Sequence, residues 1–277
     1  MRIATGVAAL AAALCFIIPA GAVDQDKLNR VIADRMEEDK VRDQYRHPAE
    51  TLAFFGIEPG MTVVDALPGS WYGRIFVNYL GSNGHYVGTR YSLDLYKKIY
   101  GDRFEERKDR IDAWPGDFTS MAKEMDANID ASFFHMGDAP ENLKGTVDAY
   151  VYFRALHHLN RIEPHYLEDS AKEAFDLVKP GGIIGIVQHR APETSASGWA
   201  NGSNGYLKMS RAIEAFTKAG FVLEATSEIN ANPKDQPTEE DFVWRLPPSY
   251  EFGDENREKY AAIGESNRMT LRFRKPE

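Results

Sequence analysis

The strongest constraint on this chain is a change of apolar period that repeats along it. Short β-rich runs at Met61–Leu67, Tyr86–Thr89, Ala131–Met136, Val147–Phe153 and Gly182–Val187 are separated by stretches with helical spacing. Those stretches are Trp71–Leu80, with Ile75, Phe76, Tyr79 and Leu80 on one face, then Leu93–Tyr100, and Pro164–Val178 with Leu167, Ala171, Ala174 and Phe175. Residues 103–130, charged, read as mostly helix or loop. Strands alternating with helices build βαβ units, so the spacing predicts an α/β domain with a mainly parallel sheet and helices on both faces. The end departs from this rhythm. A helix over Tyr206–Ala219 leads through Gly220 to strands at Phe221–Glu228 and Arg268–Arg274, with no helix expected between them, so the last strand is predicted to run antiparallel. Ahead of the first strand, residues 23–58 read as a helical segment: an amphipathic helix over 24–44, then one from Pro48 that Gly56 stops. Residues 191–205, rich in Ser, Gly, Ala and Asn, read as a mobile loop beside the fifth strand, and 230–266 as a long polar loop.

The first 22 residues read as a targeting signal. Arg2 precedes the apolar run Ile3–Ile18, Pro19 breaks it, and Ala20-Gly21-Ala22 offers a small-x-small cleavage site before Val23. A membrane anchor needs a run of roughly 20 apolar residues, and a lipoprotein reading of Cys15 meets Leu14 where a small residue is expected. The expectation is a periplasmic or secreted protein with one domain, 23–277, and no membrane span after cleavage. Cys15 is the only cysteine, so the rest of the chain has no disulfide, thiol nucleophile or cysteine zinc site. Loss of Arg2 takes the formal charge from −9 to −10, which argues against nonspecific nucleic-acid binding.

Several motifs fall at strand ends. Asp65-Ala66-Leu67-Pro68-Gly69 closes the first strand, Gly137-Asp138-Ala139 follows the third, Asp148 opens the fourth, and Lys179-Pro180-Gly181-Gly182 precedes the fifth. In this order, with the antiparallel closing pair, they resemble the class I S-adenosylmethionine-dependent methyltransferases over nearly all of 42–275. More narrowly, Arg46-His47-Pro48-Ala49-Glu50-Thr51-Leu52, Phe55-Gly56, Pro59-Gly60-Met61, Trp71-Tyr72 and Arg274-Lys275-Pro276 are similar to exported bacterial proteins described as predicted methyltransferases. The resemblance implies a Rossmann-like methyltransferase fold with a seven-stranded sheet and S-adenosylmethionine as cofactor. It assigns cofactor binding to Asp65, Gly69, Ser70, Trp71 and Tyr72, and an adenine-amine contact to Asp138 with Ala139. Two departures stand out. The first loop has Gly69 and then none before Gly73. Arg90 stands where the family usually has an acid for the ribose hydroxyls, and a guanidinium only donates.

Open α/β sheets bind ligands beyond the carboxyl ends of their strands. There, Arg154-Ala155-Leu156-His157-His158 follows the fourth strand and His189-Arg190 the fifth. Histidine exchanges protons near neutral pH. His157 is the preferred base, with His158 and His189 behind it, and Arg154 the clamp for a substrate carboxylate or phosphate. The same histidines serve equally to cap the strand end. His47 is expected to orient the N-terminal segment over the site. No metal site is expected: adjacent histidines at a strand end diverge, and no HxH or HExxH spacing occurs. Three functions remain open. One is methyl transfer to an unidentified small molecule. The second is a non-catalytic exported binding protein in which Arg90, Arg154 and Arg190 hold an anion and Trp71 and Tyr72 stack on it. The third is an enzyme of another reaction class that uses His157 or His189 as acid or base.

Overall fold

The computed structural model describes residues 23–277, so the expected signal segment lies outside the described residues. Strands β1 (Thr62–Ala66), β2 (His85–Arg90), β3 (Asp130–His135), β4 (Val147–Phe153), β5 (Val178–Ala191), β6 (Leu207–Lys208), β7 (Val222–Ser227) and β8 (Arg268–Arg274) form one sheet. Its order is β3-β2-β1-β4-β5-β8-β7, with the two-residue β6 beside the end of β5. Only β8 runs antiparallel to its neighbours, on β5 and on β7. The order reverses at β1–β4, where a crevice opens at the carboxyl ends of the strands.

Alternating side chains divide the core between the two faces. Val64, Ala66, Val87, Tyr150, Tyr152, Ile184 and Ile186 point to one side. They meet α6 (Leu93–Tyr100), α8 (Leu156–Asn160), α9 (His165–Leu177) and α10 (Met209–Lys218). Val63, Tyr86, Ala149, Val151, Phe153 and Ile183 point to the other. They are covered by α1 (Gln25–Ala33), α4 (Pro48–Phe55), α5 (Ser70–Leu80) and α7 (Phe104–Met125). Glycine inside two strands lets aromatic rings of the covering helices lie on the backbone. A Cβ at Gly88 would come within 2.6 Å of the Phe118 ring, and one at Gly185 within 2.6 Å of Phe55.

Four expectations need correction. The N-terminal helix over 24–44 is three pieces: α1, α2 (Glu37–Lys40) and α3 (Asp43–Arg46). The helix expected from Tyr206 begins at Met209, because Leu207 and Lys208 pair with Arg190 and Ala191. The polar stretch 230–266 contains a 3-10 turn, Val243–Arg245, and α11 (Arg257–Ile263), so a helix does separate β7 from β8. Residues 191–205 form a packed loop: Trp199 and Ala200 are buried with Tyr206 and Val243. The Trp199 indole donates to the Asp241 carbonyl at 3.0 Å, and Asn160 donates to the Asn201 carbonyl at 2.8 Å. Among the described residues no helix is long and apolar enough to cross a membrane.

Candidate functional site

A cavity of about 440 Å³ lies at the crevice. Leu67, Arg90, Tyr91, Arg154, His157, His158 and His189 reach it from the ends of β1, β2, β4 and β5. Arg42 and Arg46 reach it from the N-terminal segment, Val243, Trp244 and Leu246 to Ser249 from the long loop, and Glu265, Ser266 and Arg268 from the start of β8. The paired strands β1 and β4 are each followed by a left-handed residue other than glycine, Leu67 and Arg154, both with φ 56°. That conformation is uncommon outside glycine and collects at functional sites. Arg154 is held by its N–H, which donates to the Val187 carbonyl at 2.7 Å.

The cavity carries five arginines and one carboxylate. Glu265 receives Arg42 Nε at 2.6 Å, Arg46 Nε at 3.3 Å and the Arg268 guanidinium. Burial would raise the Glu265 carboxyl, and Arg268, Arg46 and Arg42 outweigh it, holding it at about 2. The arginines remain under-compensated. Arg46 is pushed down to about 8, first by burial and then by the charge of Arg154, and Arg154 to about 10, by burial and then Arg268. A guanidinium keeps its proton at neutral pH, so the five arginines stay charged with Glu265 as the one carboxylate among the lining residues.

The three histidines do come together. The rings of His157 and His158 lie 3.9 Å apart and those of His157 and His189 5.4 Å apart. The expected divergence of the first pair fails because both belong to the short helix α8, not to a strand. Among the described residues no group of three or more His, Cys, Asp or Glu is arranged to hold a metal. Burial, then the neighbouring His158, drives His157 well below its ordinary pKa. Burial and Arg161 bring His158 to about 4, and burial and His157 lower His189. All three are therefore neutral at physiological pH. Both amide atoms of Gln188 approach His157 Nδ1, at 3.3 and 3.2 Å. Gln188 Nε2 also faces the carbonyls of Gly205 at 3.0 Å and His189 at 3.4 Å, so it donates to them. Oε1 then accepts from Nδ1–H of His157, which leaves His157 Nε2 deprotonated, buried and without a partner.

The cofactor residues implied by resemblance are placed less uniformly. Gly69 and Ser70 are exposed at the start of α5, which has no side-chain cap, and a Cβ at Gly69 would meet nothing within 4 Å. Asp65 lies inside the sheet, accepting from the Tyr86 hydroxyl at 2.9 Å. Burial raises its carboxyl to about 7, against the Tyr86 bond and Arg154. Trp71 presents no free face: Arg35 and Arg46 lie 4.7 and 4.5 Å from its ring centre, and its indole donates to the Asp39 carbonyl at 2.9 Å. Tyr72 stacks on Phe153 at 3.6 Å instead of standing open as a platform. Asp138 is exposed and outside the cavity. Its turn is tied down by Glu173, which accepts from the Gly137 N–H at 2.7 Å and from Ala139. Arg90 does line the cavity, its guanidinium 3.4 Å from the ring centre of Trp114. Asp94, the nearest acid in sequence, is engaged by the Tyr166 hydroxyl at 2.5 Å. Arg190 turns away to make a two-pronged pair with Glu228, at 2.8 and 2.7 Å. His47, left-handed at φ 39°, joins α3 to α4 and thereby sets Arg46 over the cavity.

No protein-family model matches the chain, and no curated protein matches it in sequence. Solved structures do match. Geranyl diphosphate methyltransferase in complex with S-adenosylmethionine is 17% identical, with 92% of this chain and 96% of that one aligned, at a TM-score of 0.50. The complex of the Haloferax volcanii Trm112 methyltransferase activator with a proposed methyltransferase gives 19% identity, 91% and 98% coverage, and 0.50. The chain has the class I methyltransferase fold. The [4+2]-cyclase SpnF matches equally well, at 16% identity, 86% and 81% coverage and 0.50. A shared fold at such identity leaves the reaction to be argued from the site.

Arg42, Arg46, Gln188, Glu265, Ser266 and Arg268 were not foreseen as site residues. Arg46 lies within a motif quoted for the resemblance, but its partner Glu265 is 219 residues away, and no local pattern joins them.

Proposed function

We propose that this protein transfers a methyl group from S-adenosylmethionine to a small molecule held in the arginine-lined cavity. The observation that carries the reading is the His157 imidazole: neutral, with an unpartnered Nε2, facing a cavity at the β1–β4 crevice of a methyltransferase sheet. The alignment with an S-adenosylmethionine complex supports the choice of cofactor.

The residues fit part of that cofactor. The open backbone at Gly69 and the uncapped start of α5 suit its carboxylate. At the ribose position Arg90 donates where an acceptor is wanted. Bound there, S-adenosylmethionine would supply an electrophilic methyl group. The protein's own share is alignment and proton removal. The guanidiniums orient the acceptor, and His157 Nε2 receives the proton that an acceptor hydroxyl or amine loses. Its low basicity suits a proton made strongly acidic by methylation. Export remains part of the proposal, resting on residues 1–22.

Incubation with methyl-labelled S-adenosylmethionine and a library of small acids, phosphate esters and phenols tests the reading. Transfer of label that His157→Ala reduces supports it, and no transfer to any acceptor by folded protein opposes it. The arginine excess, with Arg90 at the ribose position, also favours a second reading, a binding protein for an anion. Under it the cavity retains an anion while no label moves.

A further inference from the structure

We infer that the cavity recognises an oxyanion group bearing two or more negative charges, a phosphate, a diphosphate or clustered carboxylates, clamped by Arg42, Arg46, Arg154 and Arg268. This deepens the methyl-transfer reading by naming the class of acceptor, and rests on that reading only in treating the anion as the acceptor.

Charge makes the first argument. Five guanidiniums face one carboxylate, and the three histidines beside them are neutral. The remaining wall, from Val243 to Ser249, carries one positive charge in Arg245, and that is spent outside, on Asp235 and Asp241 at 3.0 Å each. S-adenosylmethionine does not relieve the imbalance, because its sulfonium and ammonium outnumber its carboxylate. A singly charged ligand relieves it only in part.

Hydrogen bonding makes the second. Arg46 and Arg268 are 2% and 3% exposed, yet Nη1 of Arg46 and Nε of Arg268 have no partner. Buried donors left unpaired are costly and uncommon in native proteins. Both belong to side chains already fixed by the protein, Arg46 by Glu265 and Trp71, Arg268 by Glu265 and the Tyr45 carbonyl at 3.2 Å. The clamp is thus assembled before any ligand arrives. Guanidinium forks match the oxygens of phosphate and carboxylate in pairs. The left-handed backbone at Arg154 brings a further fork to the same wall from the end of β4.

The test is calorimetric titration of pyrophosphate, citrate, inorganic phosphate and acetate into the full protein in chloride buffer. Pyrophosphate or citrate is expected to bind saturably, and acetate roughly a hundredfold more weakly or not at all. Binding of pyrophosphate alone assigns the site to phosphate esters, and of citrate alone to polycarboxylates; both uphold the inference. Arg42→Gln and Arg154→Asn are each expected to weaken binding about tenfold or more. Asparagine tolerates the left-handed backbone at 154, and Arg42 is only half-buried, so both variants should fold, which circular dichroism checks. Arg42→Lys should recover part of the loss. Failure of both polyanions to bind folded wild type, or binding that neither variant weakens, overturns the inference. A parallel titration with S-adenosylmethionine separates the two readings: polyanion binding without cofactor binding removes methyl transfer and leaves the clamp, and the converse removes the clamp alone.

Discussion

Gln188 sets the tautomer of His157. Its amide nitrogen is committed to the carbonyls of Gly205 and His189, so its oxygen takes the proton on His157 Nδ1. Long-range proton–nitrogen spectra of histidine-labelled protein are therefore expected to show Nδ1 protonated and Nε2 bare across pH 5.5–8, because burial keeps the ring neutral. Gln188→Leu should scramble the tautomers and lower methyl transfer about 10- to 100-fold with cofactor affinity unchanged. A merely structural role for Gln188 would leave the tautomer signature as it is.

Asp65 gives a pH test. Its carboxyl rises from 3.8 to about 7 on folding, chiefly through burial. Between those values the folded protein holds a proton that the unfolded chain has released, so Asp65 costs stability progressively as pH rises through this window. Glu173, also raised to about 7 by burial, acts in the same direction. The lowered histidines act oppositely, removing stability as pH falls below their ordinary value. Urea unfolding of Asp65→Asn isolates the first contribution. Relative to wild type the variant should gain roughly 1.4 kcal/mol per pH unit between about 4 and 7. A difference that ignores pH would show that Asp65 is ionised in the fold.

Trp71 tests whether its ring serves the ligand or the fold. It lies against Arg35 and Arg46 and donates to the Asp39 carbonyl. Trp71→Phe is expected to cost about 1–3 kcal/mol of stability. Cofactor affinity should change less than about threefold. A large loss of affinity at unchanged stability would restore it as a stacking platform.

Arg90 stands where the methyltransferases that the sequence resembles usually place an acid. Arg90→Asp supplies the missing acceptor and removes one cation. Titration should show S-adenosylmethionine binding tightened by roughly tenfold and pyrophosphate weakened. Weaker cofactor binding in this variant would mean that Arg90 itself holds the cofactor.

The sheet was legible because its signal is local. The period-two runs around Val63–Val64 and Tyr150–Tyr152, punctuated by Gly and Pro, name the strands, and β8 is antiparallel as expected although α11 lies between it and β7, so the reason first given for it does not hold. The break of the first helix into three pieces had no such signal, since Arg35 turns back to Asp43, at 2.5 Å, only in the folded chain. The site was half legible. Arg154 and His189 sit at the ends of β4 and β5, and His157 in the helix just after β4, where topology sends them to the crevice. Arg42 and Arg46 meet Glu265 across more than two hundred residues, contacts that no spacing encodes, and the local Glu265–Arg268 pair gains its place only because β8 brings it to the crevice. Asp138 and Arg190 also lie at strand ends, Asp138 exposed outside the cavity and the Arg190 guanidinium taken by Glu228.

The most direct measurement is calorimetric titration of S-adenosylmethionine and S-adenosylhomocysteine into the purified protein, with and without saturating pyrophosphate. The account predicts saturable binding of both, tighter for S-adenosylmethionine when the polyanion neutralises the arginines of the cavity. Absence of binding under either condition, on protein shown to be folded, would contradict it.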